Sequence, residues 1–213
     1  MSEYPVLFND EMVRAIMDGR KTQTRRPVKP QPPDEFYRTK CGLYHPTVVD
    51  ASGIEQPGNE VFGFADEDHG WKSPFGGPGD RLWVRECWGL KTGTQSDHSS
   101  RVFYRADGAD KIEHWQNGNN VPETYGYGLS QHDKWRPNIH MPRWACRTFL
   151  PVVDVSVHRL QNITEVGVIA EGFEHREHFI RAWDSIYAKK NLGWDANPLV
   201  WVGTFQRGGD NHG

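Results

Sequence analysis

No apolar run in this chain approaches the roughly 18 residues that a bilayer-spanning helix needs. Its opening, "MSEYPVLFND", has neither a basic n-region nor an apolar h-region, so no membrane contact and no secretory leader are expected. Cysteine is scarce. Cys41, Cys87 and Cys146 are scattered, odd in number and without a C-x-x-C, which excludes a disulfide framework and points to a reducing, cytoplasmic setting. The usual catalytic signatures are missing too, with no G-x-S-x-G and no glycine-rich phosphate loop of recognised spacing. Among ten histidines, "EHREH" sets His175 and His178 one helical turn apart, but no cysteine pair follows to complete the zinc site of a nucleobase deaminase. No metal and no cofactor are expected. Internal repeats and low-complexity tracts are likewise absent.

What is present fits one globular domain of 213 residues, with 36% hydrophobic and 25% charged residues. The 22 glycines and 14 prolines imply long connecting loops. A formal net charge of -3 counts against non-specific coating of nucleic acid, while leaving room for a local basic groove. Nine tryptophans suit either a small core or a base-stacking surface.

Along the chain, Asn9 to Asp18 reads as a helix capped by Asn9 or Asp10 and closed by Gly19. Residues from about 30 to 79 read as a long loop or insertion with one hairpin. "PGDRLWVRECW" reads as a turn and a strand in which Leu82, Val84 and Glu86 alternate against Trp83, Arg85 and Cys87. "RVFYRAD" predicts another strand, and residues 108–134 look irregular. In the β run "ACRTFLPVVDVSVHRL", Pro151 implies an edge or a bulge. "NITEVGVIAEGF" predicts a helix with an Asn162/Glu165 capping pair, an apolar face of Ile163, Val166, Ile169 and Ala170, and Gly172 as its end. A second helix over about 174–188 carries a stripe of Phe179, Ile180, Trp183, Ile186 and Tyr187. The strand "LVWVGTFQR" follows, and residues 208–213 read as a frayed tail. Several strands with interspersed short helices predict an α+β chain, a small mixed barrel rather than a parallel sheet.

The segment "GRKTQTRR", Gly19 to Arg26, is the densest chemistry. Between Gly19 and Pro33 lie Arg20, Lys21, Arg25, Arg26 and Lys29 and no acid. Such a run fits an anionic ligand such as phosphate, and equally a solvated loop.

Four ordered blocks, "GRKTQTRR", "PGDRLWVRECW", "HMPRWACRTFLPVVDVSVHRLQNITEVGVIAEGF" and "WDANPLVWVGTFQR", together resemble the ASCH-domain family in the long form common in phage and prophage genomes. The loops at about 30–75 and 108–134 stay unmatched. The resemblance implies a single domain over residues 1–207, a PUA-like β-barrel with flanking helices and those loops as insertions. It also implies an RNA or modified nucleoside as partner. A small bacterial member of the family removes the acetyl group from N4-acetylcytidine with a Lys and a Thr of a G-R-K-T-x-T motif and a Glu of a T-E-x(5)-E pattern. Matched residue by residue, these fall on Lys21, Thr24 and Glu171. The oligomeric state is open, with a monomer favoured.

On that reading Thr24 or a water attacks the amide. Lys21 is the base if burial or Arg20 and Arg25 lower its pKa, or else it stabilises the oxyanion. Glu171 protonates the leaving amine, holds Lys21 or activates the water. One geometric demand follows. In a regular strand Lys21 and Thr24 point to opposite faces, so a turn must separate them if they share a pocket. The alternative function is an RNA-binding module or ribonuclease, with Arg20, Arg25, Arg26, Arg85 and Arg143 on phosphates and Trp88 or Trp144 stacking on bases.

Overall fold

The computed structural model describes residues 1–33, 40–66, 69–92, 99–114 and 135–207. The strands are β1 (Glu3–Leu7), β2 (Gln23–Pro27), β3 (Gly42–Tyr44), β4 (Thr47–Val49), β5 (Glu55–Pro57), β6 (Val61–Ala65), β7 (Gly70–Lys72), β8 (Arg81–Arg85), β9 (Trp88–Thr92), β10 (Ser99–Tyr104), β11 (Asp110–His114), β12 (Phe149–Arg159) and β13 (Leu199–Phe205). The helices are α1 (Asp10–Met17), α2 (Glu165–Ala170) and α3 (Arg176–Tyr187). The architecture is mixed α+β, mostly strands with few helices, and among the described residues the sheets do not close into a barrel. No helix among those residues is long and apolar enough to cross a membrane. By its contacts the chain divides into two compact units, Met1–Tyr4 with Gly19–Leu82 and Leu150–Gly213, and Pro5–Asp18 with Trp83–Phe149.

A five-stranded sheet has the order β1-β8-β12-β13-β2, of which β13 and β2 lie wholly in the first unit. "LVWVGTF" is apolar almost throughout because β13 is buried on both faces, antiparallel to β12 and β2. Gly203 is required there, since a Cβ would stand 2.6 Å from Cδ2 of the buried Phe75 ring. Pro151 lies in an interior strand, and the register slips between Val152 and Asp154, next to the missing donor. The stretch expected as a loop with one hairpin also carries a three-stranded sheet of order β3-β6-β7 besides the β4–β5 hairpin. Strands of three to five residues are too short to display a period, so only their aromatic packing defines them. Phe64 stacks on Trp71 and tilts against Trp201, with ring centroids 5.0 Å apart in both pairs.

α2 departs from expectation at its start. Leu160–Asn162 forms a 3-10 turn, and Thr164 is the N-cap, its hydroxyl accepting from the Gly167 N–H at 3.1 Å. The inward face is therefore Gly167 and Val168, while Val166 and Ile169, expected in the core, are exposed. α3 turns Phe179, Trp183 and Tyr187 inward against Leu160, Val168, Val200 and Val202, and leaves Ile186 exposed.

In the second unit α1 starts as its sequence predicts, with the Asn9 side chain accepting from the Met12 N–H at 2.9 Å. β9, β10 and β11 form an antiparallel sheet. β11 falls in the stretch expected to be irregular. Residues 115–134 and the tail 208–213 lie outside the described residues. Glu86 is fully buried and gripped by Arg147 through two 2.8 Å hydrogen bonds, while Arg147 also reaches Asp107 at 2.8 Å and lies 4.0 Å over the Tyr104 ring. Burial pushes the Glu86 carboxyl above its ordinary range against the pull of Arg147.

Candidate active site

The site lies in the first unit, where β2 meets the end of α2. β2 begins only at Gln23, so Lys21 precedes the strand and is not bound by its alternation. The peptide between them is fixed at both ends. The Thr22 N–H donates to the Ala170 carbonyl at 2.8 Å, and the Thr22 carbonyl accepts from the Phe205 N–H at 2.9 Å. Glu171 is the C-cap of α2. Gly172, at φ +93°, adopts the left-handed conformation that reverses the chain directly after it, its N–H reaching the Ile169 carbonyl at 2.8 Å.

Lys21 and Glu171 meet in this corner. Lys21 Nζ donates to Glu171 Oε2 at 2.7 Å, to the Glu171 carbonyl at 2.8 Å and to the Gln23 carbonyl at 2.8 Å. Three acceptors match the three N–H bonds of an ammonium. The side chains are 0% and 4% exposed, so the pair is out of water. Arg25 closes the other side of the carboxylate, with Nη1 3.2 Å from Glu171 Oε1 and Nη2 3.3 Å from Gln23 Oε1. Gly167 makes room for that guanidinium, for a Cβ there would lie 3.1 Å from Arg25 Nη2. Burial pulls the Lys21 ammonium below its ordinary value; the Glu171 charge opposes this, and Arg26 and Arg25 add to it.

Thr24 falls elsewhere. Paired residues of antiparallel strands share a face, and Thr24 pairs with Gly203 whereas Arg25 pairs with Val202. Val202 packs beneath α2 and α3 with Val168, so Arg25 and Glu171 occupy the helix side. Thr24 occupies the opposite side, where Phe75 approaches Gly203. It is 1% exposed, and its Oγ1 accepts from Arg26 Nη1 at 3.1 Å. Arg26 Nη1 also reaches back to the Arg25 carbonyl at 2.8 Å. Two of the three candidate catalytic residues are thus joined directly. The third is tied to the neighbouring arginine.

The remaining candidates divide by unit. Arg20 is exposed in the first. Arg85, Trp88, Arg143 and Trp144 belong to the second. Arg85 lies 5.4 Å from the Trp83 ring centroid and donates to the Ile139 carbonyl. Arg143 is exposed, 4.2 Å over the Phe149 ring. Trp88, expected as a stacking surface, is instead 0% exposed, enclosed by Val102, Tyr104, Met141 and Ala145. Trp144 is half-buried, edge-on to Trp88 at 5.9 Å. Arg25, expected on phosphate, is buried against Glu171 instead. Gln23, an uncharged member of the basic motif, was not singled out in the sequence, yet its carbonyl and side chain bind Lys21 and Arg25. Among the described residues no three or more His, Cys, Asp or Glu side chains come together to hold a metal ion. Comparisons with protein-family models, with curated proteins and with solved structures yield no match.

Proposed function

We propose that this chain is an ASCH-type amidohydrolase that releases the acyl group from N4-acetylcytidine or a related N-acylated nucleoside. On this reading it acts as a cytoplasmic monomer, and its five-stranded sheet with α2 and α3 is the frame of a PUA-like barrel. The observation that carries the reading is the buried Lys21–Glu171 pair. Burying an ion pair stabilises a fold poorly compared with apolar side chains of the same volume. A chemical role gives such a pair a reason to be there.

Amide hydrolysis needs a nucleophile, a base and a proton for the leaving amine. In the neutral form Lys21 takes a proton from an attacking water, whose oxygen bonds to the acyl carbon. The C–N bond then breaks, the proton passes to the amine nitrogen, and a carboxylic acid and a free amine leave. Glu171 holds Lys21 in place, and Arg25 in turn holds Glu171. The Thr24–Arg26 bond, on the face away from Glu171, favours water over Thr24 as the nucleophile and makes Thr24 a positioning residue for Arg26. The RNA-binding alternative draws less support, since Arg25 and Trp88 are buried within the protein rather than presented on its surface.

The decisive experiment incubates the purified protein with N4-acetylcytidine and separates the products by chromatography. Cytidine and acetate are expected, and no cytidine above a protein-free control overturns the reading. The pH profile adds a second check. A base must lose its proton to act, so kcat/KM should rise with pH, with a midpoint below the ordinary lysine value of 10.5. A profile that falls over the same range is incompatible with Lys21 as base.

A further inference from the structure

Tyr187 brings a hydroxyl to the helix side of the sheet, the face opposite that of Thr24. Tyr187 is the last residue of α3 and is 9% exposed. Its ring lies 4.4 Å from that of Trp183 and packs in the same cluster as Val168 of α2 and Val202 of β13. Val202 is the cross-strand partner of Arg25, and Val168 adjoins the glycine that makes room for the Arg25 guanidinium. Tyr187 thus shares the face on which Lys21, Arg25 and Glu171 meet. Among the described residues its hydroxyl makes no hydrogen bond to the protein, although the ring is almost wholly enclosed. The charges of both Arg26 and Glu171 act on that hydroxyl, and burial keeps it protonated, so it can donate.

We infer that Tyr187 is a substrate-contacting residue of this site, its hydroxyl donating to the acyl oxygen of the amide and to the oxyanion that forms there on attack. The inference rests on the amidohydrolase reading and adds to it the donor on which that reading is silent. A neutral phenol is a donor suited to an oxygen that gains negative charge. The same donor suits the carboxylate of the released acid. The ring of Tyr187 belongs to the core, but the hydroxyl contributes no bond to it, so its removal tests function apart from folding.

The test compares the wild type with Tyr187→Phe in three measurements. The melting temperature should be unchanged, because the ring and its contacts remain. With N4-acetylcytidine, kcat should fall roughly 10²–10³-fold, as for loss of one oxyanion donor, while KM changes little. Acetate, titrated calorimetrically, should bind the variant about tenfold or more weakly, the range for a lost hydrogen bond to a charged group. A variant that keeps the wild-type kcat overturns the inference and leaves the reaction standing. If the wild type releases no acetate, the reaction is overturned, and the acetate titration alone decides the role of Tyr187. Equal affinities then end it, whereas a tenfold difference retains it as an anion contact.

Discussion

Glu171→Ala should lower the melting temperature by roughly 6–20 °C. Removing the carboxylate leaves Lys21 and Arg25 facing each other without the charge that holds both. Breaking a buried pair from one side costs about 3–5 kcal/mol, and for a chain of this length each kcal/mol moves the transition by about 2–4 °C. Lys21 keeps the carbonyls of Glu171 and Gln23, which survive the substitution, so the lower half of the range is the better expectation. Glu171→Gln preserves the shape and one acceptor and should fall between the wild type and Glu171→Ala. The double variant Lys21→Met/Glu171→Met should recover only part of the loss, because it removes the unpaired Lys21 charge but leaves the buried Arg25 without its carboxylate. Equal melting temperatures for wild type and Glu171→Ala in a thermal scan would mean that the pair is not formed in solution.

The second large effect concerns rate. Lys21→Ala should reduce kcat/KM for N4-acetylcytidine by roughly two or more decades, the contribution of a positioned base. Lys21→Arg separates chemistry from packing. An arginine keeps the positive charge for Glu171 but does not lose its proton in the accessible pH range. If Lys21 is the base, Lys21→Arg is as inactive as Lys21→Ala while melting closer to the wild type. Wild-type turnover by Lys21→Arg would leave the pair a purely structural ion bridge.

Much of this site was readable from the chain, though by different routes. The helix before Gly19 and the stop at Gly172 follow from capping residues and glycine conformations, which act within a few residues. The meeting of Lys21 with Glu171 joins positions 150 residues apart, and no local pattern encodes it; only the resemblance of two separate motifs put them together. The Thr24 side chain illustrates the opposite case. Period-two alternation warned that Lys21 and Thr24 would diverge, and the late start of β2 freed Lys21 but left Thr24 on the far face. The apolar face of α2 was misread because the cap sits at Thr164, two residues beyond Asn162, and such a shift turns a short helix by more than half a revolution. Glu86 is legible only in part. Its place in the alternation with Leu82 and Val84 marks it as inward, but its partner Arg147 is 61 residues away.

The Thr22 peptide, bonded through its N–H to the end of α2 and through its carbonyl to the end of β13, has a bearing on how the site behaves when heated. The distance between Lys21 and Glu171 is set by main chain that belongs to helix and sheet at once, so it has no local looseness of its own. Inactivation on heating should therefore coincide with loss of β-structure by circular dichroism, in a single step. Activity lost well before the sheet melts would reveal a hinge that this clasp does not allow.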